Sequence, residues 1–371
     1  MILFRRMMAR TDRFRPWIIS GIIVFIVAEI LLFSPSSVDS WGSASGPSEI
    51  DPEELAASFE SDLKAMGADS TKIPEYSVNE FDDTSTEKGH RQWKLKASRG
   101  YLYHQDRLVL ARTAEAQLYD SEGKITLITG NYARYEMGHK SLEIFGKVTT
   151  RFPDGFLVHS EYVHYDPSTK KVDIPSRYAA EGEGLVEPTR RLRFTSMGLH
   201  FQMGESLISL PQDVQFLIEP NKKNSQNQSE TTTIESDECD IDRTKRIALF
   251  AMKPERPSEE AFVHLRQPTL LIKSRKMSLR YGDENGKTSF DTILAEQDVF
   301  LQEKGKKTVN RYGTAGKGLF DTKKNVVYLT EFPQLYQDED TVTGEVIVLH
   351  RDTDIVEVEK SNAFSRGEEK P

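Results

Sequence analysis

Tyr135, Tyr165 and Phe201 each stand seven residues ahead of an aliphatic side chain (Leu142, Val172, Ile208) and nine ahead of another (Ile144, Ile174, Leu210). Side chains of these types make and break no bonds. Repeated in register they form an apolar surface, whose only chemistry is to pack as core or to dissolve hydrocarbon. Phe320 with Val327 and Leu329 keeps the same spacing, as does Leu349 with Val356 and Val358. Ile241 with Ala248 and Phe250 is a fainter copy, and Tyr281 fits Ile293 and Ala295 if its turn is longer by five residues. Reactive groups show no such order. There is no nucleophile elbow, phosphate loop, paired-cysteine site or HExxH, so the usual signatures of an enzyme are absent and no cofactor is expected. A polysaccharide hydrolase would need two inward carboxylates about 5 to 9.5 Å apart, and none falls in register. His164 and His200 directly precede the aromatic of the repeat, on the opposite face, where a solvated role outweighs metal binding. Arg190, Arg191 and Arg193 form a basic patch that can meet phosphates, although a charged edge that discourages unwanted strand pairing is the simpler reading.

The elements follow from the spacing. If residue i pairs with i+7 across a hairpin, four residues remain for the turn, and the sequences there are Met137-Gly138-His139-Lys140, Pro167-Ser168-Thr169-Lys170 and Met203-Gly204-Glu205-Ser206. Gly, Pro and Ser suit such loops. The same register sets Ala133 opposite Ile144, Val163 opposite Ile174 and Leu199 opposite Leu210 on the apolar face. On the other face it sets Arg134 against Glu143 and His164 against Asp173. From about residue 76 to near the C-terminus the period is two, so this part reads as all-β. Hairpins of this kind cannot bury an apolar face alone and must stack. The polar, aperiodic NKKNSQNQSE (221–230) divides them into two bodies.

Composition and the N-terminus bound the setting. A net charge of −9 with no dominant basic face argues against nucleic acid as a partner, and the single Cys239 excludes an internal disulfide. Trp17 to Phe33 is an apolar run of 17 residues broken by Glu29, enough to span a bilayer. Arg5, Arg6, Arg10, Arg13 and Arg15 precede it and acidic residues follow, which places the N-terminus in the cytoplasm. A cleaved signal peptide is the competing reading, but no Ala-x-Ala site directly follows Phe33 and the Ala44 region lies too far downstream. Glu29 faces either a partner's helix or the outer leaflet. The Ser/Gly/Pro-rich stretch 34–48 suits a tether, and Asp51-Pro52-Glu53-Glu54 begins a short amphipathic helix that Gly67 stops. The expected organisation is a cytoplasmic basic tail (1–16), a transmembrane helix (17–33), a linker with a short helix (34–75), a β domain (76–220), a linker (221–230), a second β domain (231–360) and a polar tail (361–371).

LEIFGKVTTRFPDGFLVHSEYVHYDPSTKKV (142–172), with the upstream stretch WKLKASRGYLYHQDRLVLARTAEAQLYDSEGKITLITGNYA (93–133), resembles the LptC family of lipopolysaccharide transport, whose domain is the OstA-like β-jellyroll. TTIESDECDIDRTKRIALF, LLIKSRKMSLRYGDENGK, ILAEQDVFLQEKGKK and YGTAGKGLFDTKKNVVYLTEFPQLYQ, within 231–359, look like a second OstA-type unit of the LptA kind. The resemblance implies two consecutive antiparallel folded-over sheets after one transmembrane helix, in a protein of the inner membrane whose bulk is periplasmic. It implies a non-enzymatic carrier that takes lipopolysaccharide from an inner-membrane ABC transporter and passes it to an LptA-type or outer-membrane LptD-type β-jellyroll. An opened sheet would then meet acyl chains on its inner face, at Ala133, Tyr135, Leu142, Ile144, Val163, Tyr165, Val172, Ile174, Leu199, Phe201, Ile208, Leu210, Phe320, Val327 and Leu329. The alternative is a membrane-anchored β-solenoid scaffold or adhesion protein, which would also repeat but usually in parallel coils.

Overall fold

The computed structural model describes Ser61, Lys64 and residues 74–187, 190–220, 231–257, 260–284, 287–304, 310–337, 340–360 and 362–364. The expected spanning helix, the tether, the 221–230 linker and the polar tail beyond 364 lie outside the described residues, as does nearly all of the short helix. The chain divides at Leu63 and Lys64, and every strand belongs to the second unit.

Its first half is an antiparallel meander of long strands: β1 (Tyr76–Glu87), β2 (His90–Tyr103), β3 (Leu108–Tyr119), β4 (Ile125–Glu136), β5 (Ser141–Arg151), β6 (Leu157–Asp166), β7 (Lys171–Glu187) and β8 (Arg190–Gln202). Along a line near their middles the ladders slip, between Thr129 and Tyr132, Phe145 and Val148, Ser160 and His164, and Ile174 and Ala179. Left-handed backbone marks the same line at Thr113 (φ 52°), Gly146 (φ 77°), Lys147 (φ 52°) and Gly198 (φ 89°). Each bulge adds a residue and bends its strand, so bulges in line fold the whole sheet over. One ring contact demonstrates the fold. Trp93 pairs with Leu118, which pairs with Thr126, so in a flat sheet Tyr135 would lie nine residues further along β4, about 30 Å away. The Trp93 and Tyr135 ring centroids are instead 4.8 Å apart, edge to face.

Beyond β8 the two leaves continue as separate short strands. The C-terminal end of β8 pairs with β9 (Leu207–Leu210) and its N-terminal part with β10 (Val214–Pro220). These pair in turn with β12 (Glu238–Asp242) and β11 (Thr232–Ser236), so the hydrogen-bonded ladder crosses from one side of 221–230 to the other in both leaves. Next come β13 (Ile247–Ala251) and β16 (Lys276–Glu284) in the first leaf, with β14 (Val263–Arg266) and β15 (Leu270–Ser274) in the second. β17 (Lys287–Lys304) and β18 (Asn310–Asp321) run through both leaves, and Gln297 and Asp298 make the bend in left-handed backbone. The sheet ends in β19 (Val326–Thr330), β22 (Val346–His350) and β23 (Ile355–Glu359) on one leaf, and in β20 (Gln334–Gln337), β21 (Asp340–Thr343) and β24 (Asn362–Phe364) on the other.

The hairpin ruler holds at Tyr135–Leu142, Tyr165–Val172, Phe201–Ile208, Ile241–Ala248, Phe320–Val327 and Leu349–Val356. Across the described chain the four-residue turns end at Arg107, Lys140, Lys170, Ser206, Arg246, Asn325 and Asp354, all with φ between 52° and 58°. Three details differ. Val163 and Ile174 flank the slip between β6 and β7 and are not bonded partners; Ile174 pairs with Leu199. The β8–β9 ladder runs only from His200–Ser209 to Gln202–Leu207, leaving Leu199 and Leu210 outside it. Tyr281 pairs with Phe290, and Ile293 and Ala295 face Leu279 and Met277, so this hairpin runs two residues out of the expected register, with one further shift at a bulge after Arg280.

Gly198 exemplifies a bend residue. A Cβ there would meet the Ser176 Cα and Oγ and the Pro211 Cγ at 3.0 Å, and its φ of 89° is strained for any L side chain. Gly198→Ala is therefore expected to destabilise by about 1–3 kcal/mol, measured by urea unfolding, and an unchanged midpoint would remove this role for the bend.

Candidate lipid-binding interior

The residues expected on the inner face all come together, and all are buried: the fifteen from Ala133 to Leu329 belong to one apolar cluster between the leaves. The reason is the pleat. With period two, every second side chain of each strand points between the leaves, and the fold brings the two inner faces into contact. Edge-to-face rings tie leaf to leaf, Trp93 to Tyr135 and Phe152 to Phe201 (4.9 Å, 87°). Across the junction the rings form a file: Phe156 stacks on Phe194 (5.8 Å), Phe194 on Phe216 (5.6 Å), and Phe216 meets Phe250 edge to face (5.0 Å).

This interior is electrically quiet. Burial, and then the Asp166 carboxylate, pushes the Tyr165 phenol up to about 12. Burial likewise raises Tyr135 and holds the Cys239 thiol well above its ordinary value. Both kinds of group stay neutral at any physiological pH, and the interior offers an apolar ligand solvent rather than a nucleophile. No cluster of metal-ligating side chains occurs among the described residues.

The outer face carries the charges. Arg134 opposes Glu143, and His164 opposes Asp173, which pairs with His200. Arg193 is held by Glu219 across to β10, in keeping with a charged strand surface rather than a phosphate site; the Arg190 side chain lies outside the described residues.

Opposite the line of bulges, the turns of the two leaves face each other as lips, and arginines fasten them. Arg243, in a first-leaf turn, pairs with Asp154, in a second-leaf turn. Further along, Arg351 donates from Nε to Glu303 Oε1 (3.0 Å), from Nη1 to Gln267 Oε1 (3.0 Å) and from Nη2 to Thr269 Oγ1 (2.8 Å), all on the second leaf. Arg311 answers in reverse, donating to the Asp354 carbonyl in the first-leaf turn (2.8 Å) while its Nη1 lies 3.6 Å from Glu303 Oε2. Glu303 and Arg311 are almost wholly buried. Sequence reasoning missed these fasteners, since no local pattern links residues 84 or 89 apart.

The family model described as "Lipopolysaccharide-assembly, LptC-related" matches residues 57–219, and that described as "LptA/(LptD N-terminal domain) LPS transport protein" matches 233–355. The chain is an LptC-like protein with a C-terminal LptA-like unit. Among solved structures it resembles LptH of Pseudomonas aeruginosa, described as the LptA homologous periplasmic component of the lipopolysaccharide transport device. The match has 13% identity over 37% of this chain and 95% of that one, with a TM-score of 0.31. No curated protein matches. The LptC-like and LptA-like matches meet where β9 and β10 pair with β12 and β11, so their shared boundary is a hydrogen-bonded seam within one sheet. Both families are transport-bridge proteins rather than known enzymes.

Proposed function

We propose that this LptC-like chain is the inner-membrane start of a periplasmic lipopolysaccharide bridge. It takes the lipid from an ABC transporter and passes its acyl chains along the interior, across the seam, to an LptA-type or LptD-type β-jellyroll. The observation that carries this reading is the apolar cluster that runs unbroken from the LptC-like into the LptA-like half. The physical need is large. Each methylene kept from water is worth about 0.8 kcal/mol, so one chain of about 12 carbons costs on the order of 10 kcal/mol to carry bare. Repeats of similar residues along the path favour transfer over capture, because no site holds the lipid much more tightly than the next. Every described ladder is antiparallel, which weighs against the coiled solenoid scaffold.

With the interior packed on itself, a lipid enters by parting the leaves and exchanging side-chain contacts for acyl contacts. A photo-crosslinking residue at Ile144, Tyr165 or Phe201 is expected to capture lipopolysaccharide in cells, and one at Arg134, His164 or His200 is not. Equal capture from both faces would defeat the carrier reading. The 17-residue apolar span with five preceding arginines supports an uncleaved anchor with a cytoplasmic N-terminus. A reporter active only after export, fused after Pro371, should be active, and a mature N-terminus beyond residue 34 would refute the anchor.

A further inference from the structure

At the lips beside the seam a pocket of about 430 Å³ lies between two second-leaf turns (Asp120 to Lys124, Pro153 and Asp154) and two first-leaf turns, Met203 to Ser206 in the LptC-like half and Arg243 and Thr244 in the LptA-like half. Its floor is Phe201 and Met203, which on their other side belong to the apolar interior. The floor is therefore a thin wall between the solvent and the proposed lipid path. Methionine, unbranched and flexible, is suited to yielding there.

The rim has mixed charge, but its acids are committed. Asp120 Oδ1 accepts the backbone N–H groups of Glu122 and Lys124 (2.9 and 2.8 Å), Glu122 pairs with Lys124, and Asp154 caps its own turn through the Phe156 N–H (3.3 Å) while holding Arg243. The cations are paired with two of these same acids, Lys124 with Glu122 and Arg243 with Asp154, so a phosphate binds there by displacing a carboxylate that keeps its backbone bond or stays exposed to water. A guanidinium has five N–H donors in a planar fork that fits a phosphate at least as well as a carboxylate, and Lys124, paired with Glu122 on the facing turn, is an exposed point charge on a long stem. Arg243 is also the group that ties the two lips here.

We propose, on the basis of the carrier reading above, that this pocket is a lateral port for a phosphorylated lipid. Its headgroup phosphate is taken by Lys124 and Arg243, which frees Asp154, unfastens the lips and lets an acyl chain pass over Met203 into the interior. The port thus recognises an amphiphile by requiring both an anion at the rim and a hydrocarbon chain at the floor.

The test uses the full-length chain with a photo-crosslinker at Met203 or, separately, at Ile144, incubated with lipid A or with lipid A stripped of its phosphates. Capture at Met203 is expected for the phosphorylated lipid and about tenfold less for the stripped one. Lys124→Gln with Arg243→Gln should abolish that preference, and Arg243→Lys should keep most of it. Asp154→Asn should raise capture by unfastening the lips, a direction that a merely structural role for the pair would reverse. Millimolar inorganic phosphate should leave capture unchanged, and full competition by it would assign the rim to a free anion and overturn the port. Capture at Ile144 with none at Met203, or capture at Met203 indifferent to the two cations, would overturn the port while the carrier reading stands. Absence of capture at both positions would remove the carrier reading itself.

Discussion

Glu303→Ala is expected to lower the unfolding free energy by about 3–5 kcal/mol, because it removes the carboxylate shared by two arginines that the fold has taken out of water, leaving Arg311, among the described residues, only the more distant Asp354 carboxylate at 3.9 Å. Glu303 lies 3.0 Å from Arg351 Nε and 3.6 Å from Arg311 Nη1, and the three side chains are between 5% and 7% exposed. A buried charge without its counterpart carries its desolvation cost uncompensated. Replacing the whole trio by apolar residues of similar volume should therefore cost less than the single change. Urea unfolding followed by tryptophan fluorescence measures both. The exposed Lys360–Glu345 pair provides the control, since Glu345→Ala should barely move the midpoint. If Glu303→Ala behaves like that control, the lips of the LptA-like half are not fastened by this cluster.

Phe216→Ala should cost a similar amount, about 3–5 kcal/mol, through the cavity it leaves. Phe216 is 2% exposed and stands in the ring file between Phe194, in the LptC-like half, and Phe250, in the LptA-like half. It also lies in β10, whose residues Val214 to Ile218 pair with Ser236 to Thr232. The loss therefore falls on the seam, and unfolding should remain a single transition at a lower midpoint. Two separated transitions in the unsubstituted protein, with only one moved by Phe216→Ala, would show that the two halves fold independently and that the seam adds little.

The hairpins were legible in the sequence because their spacing is enforced twice, by the four-residue turn and by burial of one face. Tyr165 and Val172 could hardly be placed otherwise. The Tyr281 hairpin was misread by the same ruler, since its ladder continues to Glu284–Lys287 where the ruler required a long turn, and a bulge after Arg280 changes the register further without changing composition. The bends were nearly invisible for that reason: Gly146 and Gly198 hint at left-handed backbone, but Thr113, Lys147 and Asp298 give no such sign. The periodicity specified which face is apolar and was silent on whether that face lies open or closed. Closure depends on Arg243, Arg311 and Arg351 meeting partners far along the chain, which is a property of the folded sheet and not of any segment.

The seam has a consequence for stoichiometry. Where two bridge segments are separate molecules, the joint between them forms and breaks by mass action and weakens on dilution. Here the β10–β11 and β9–β12 ladders close within one chain, at an effective concentration set by the short connection 221–230 rather than by expression level. If the chain starts a bridge as proposed, its first joint is always occupied, one acceptor to each donor, and the supply of the downstream component can limit only the next joint along.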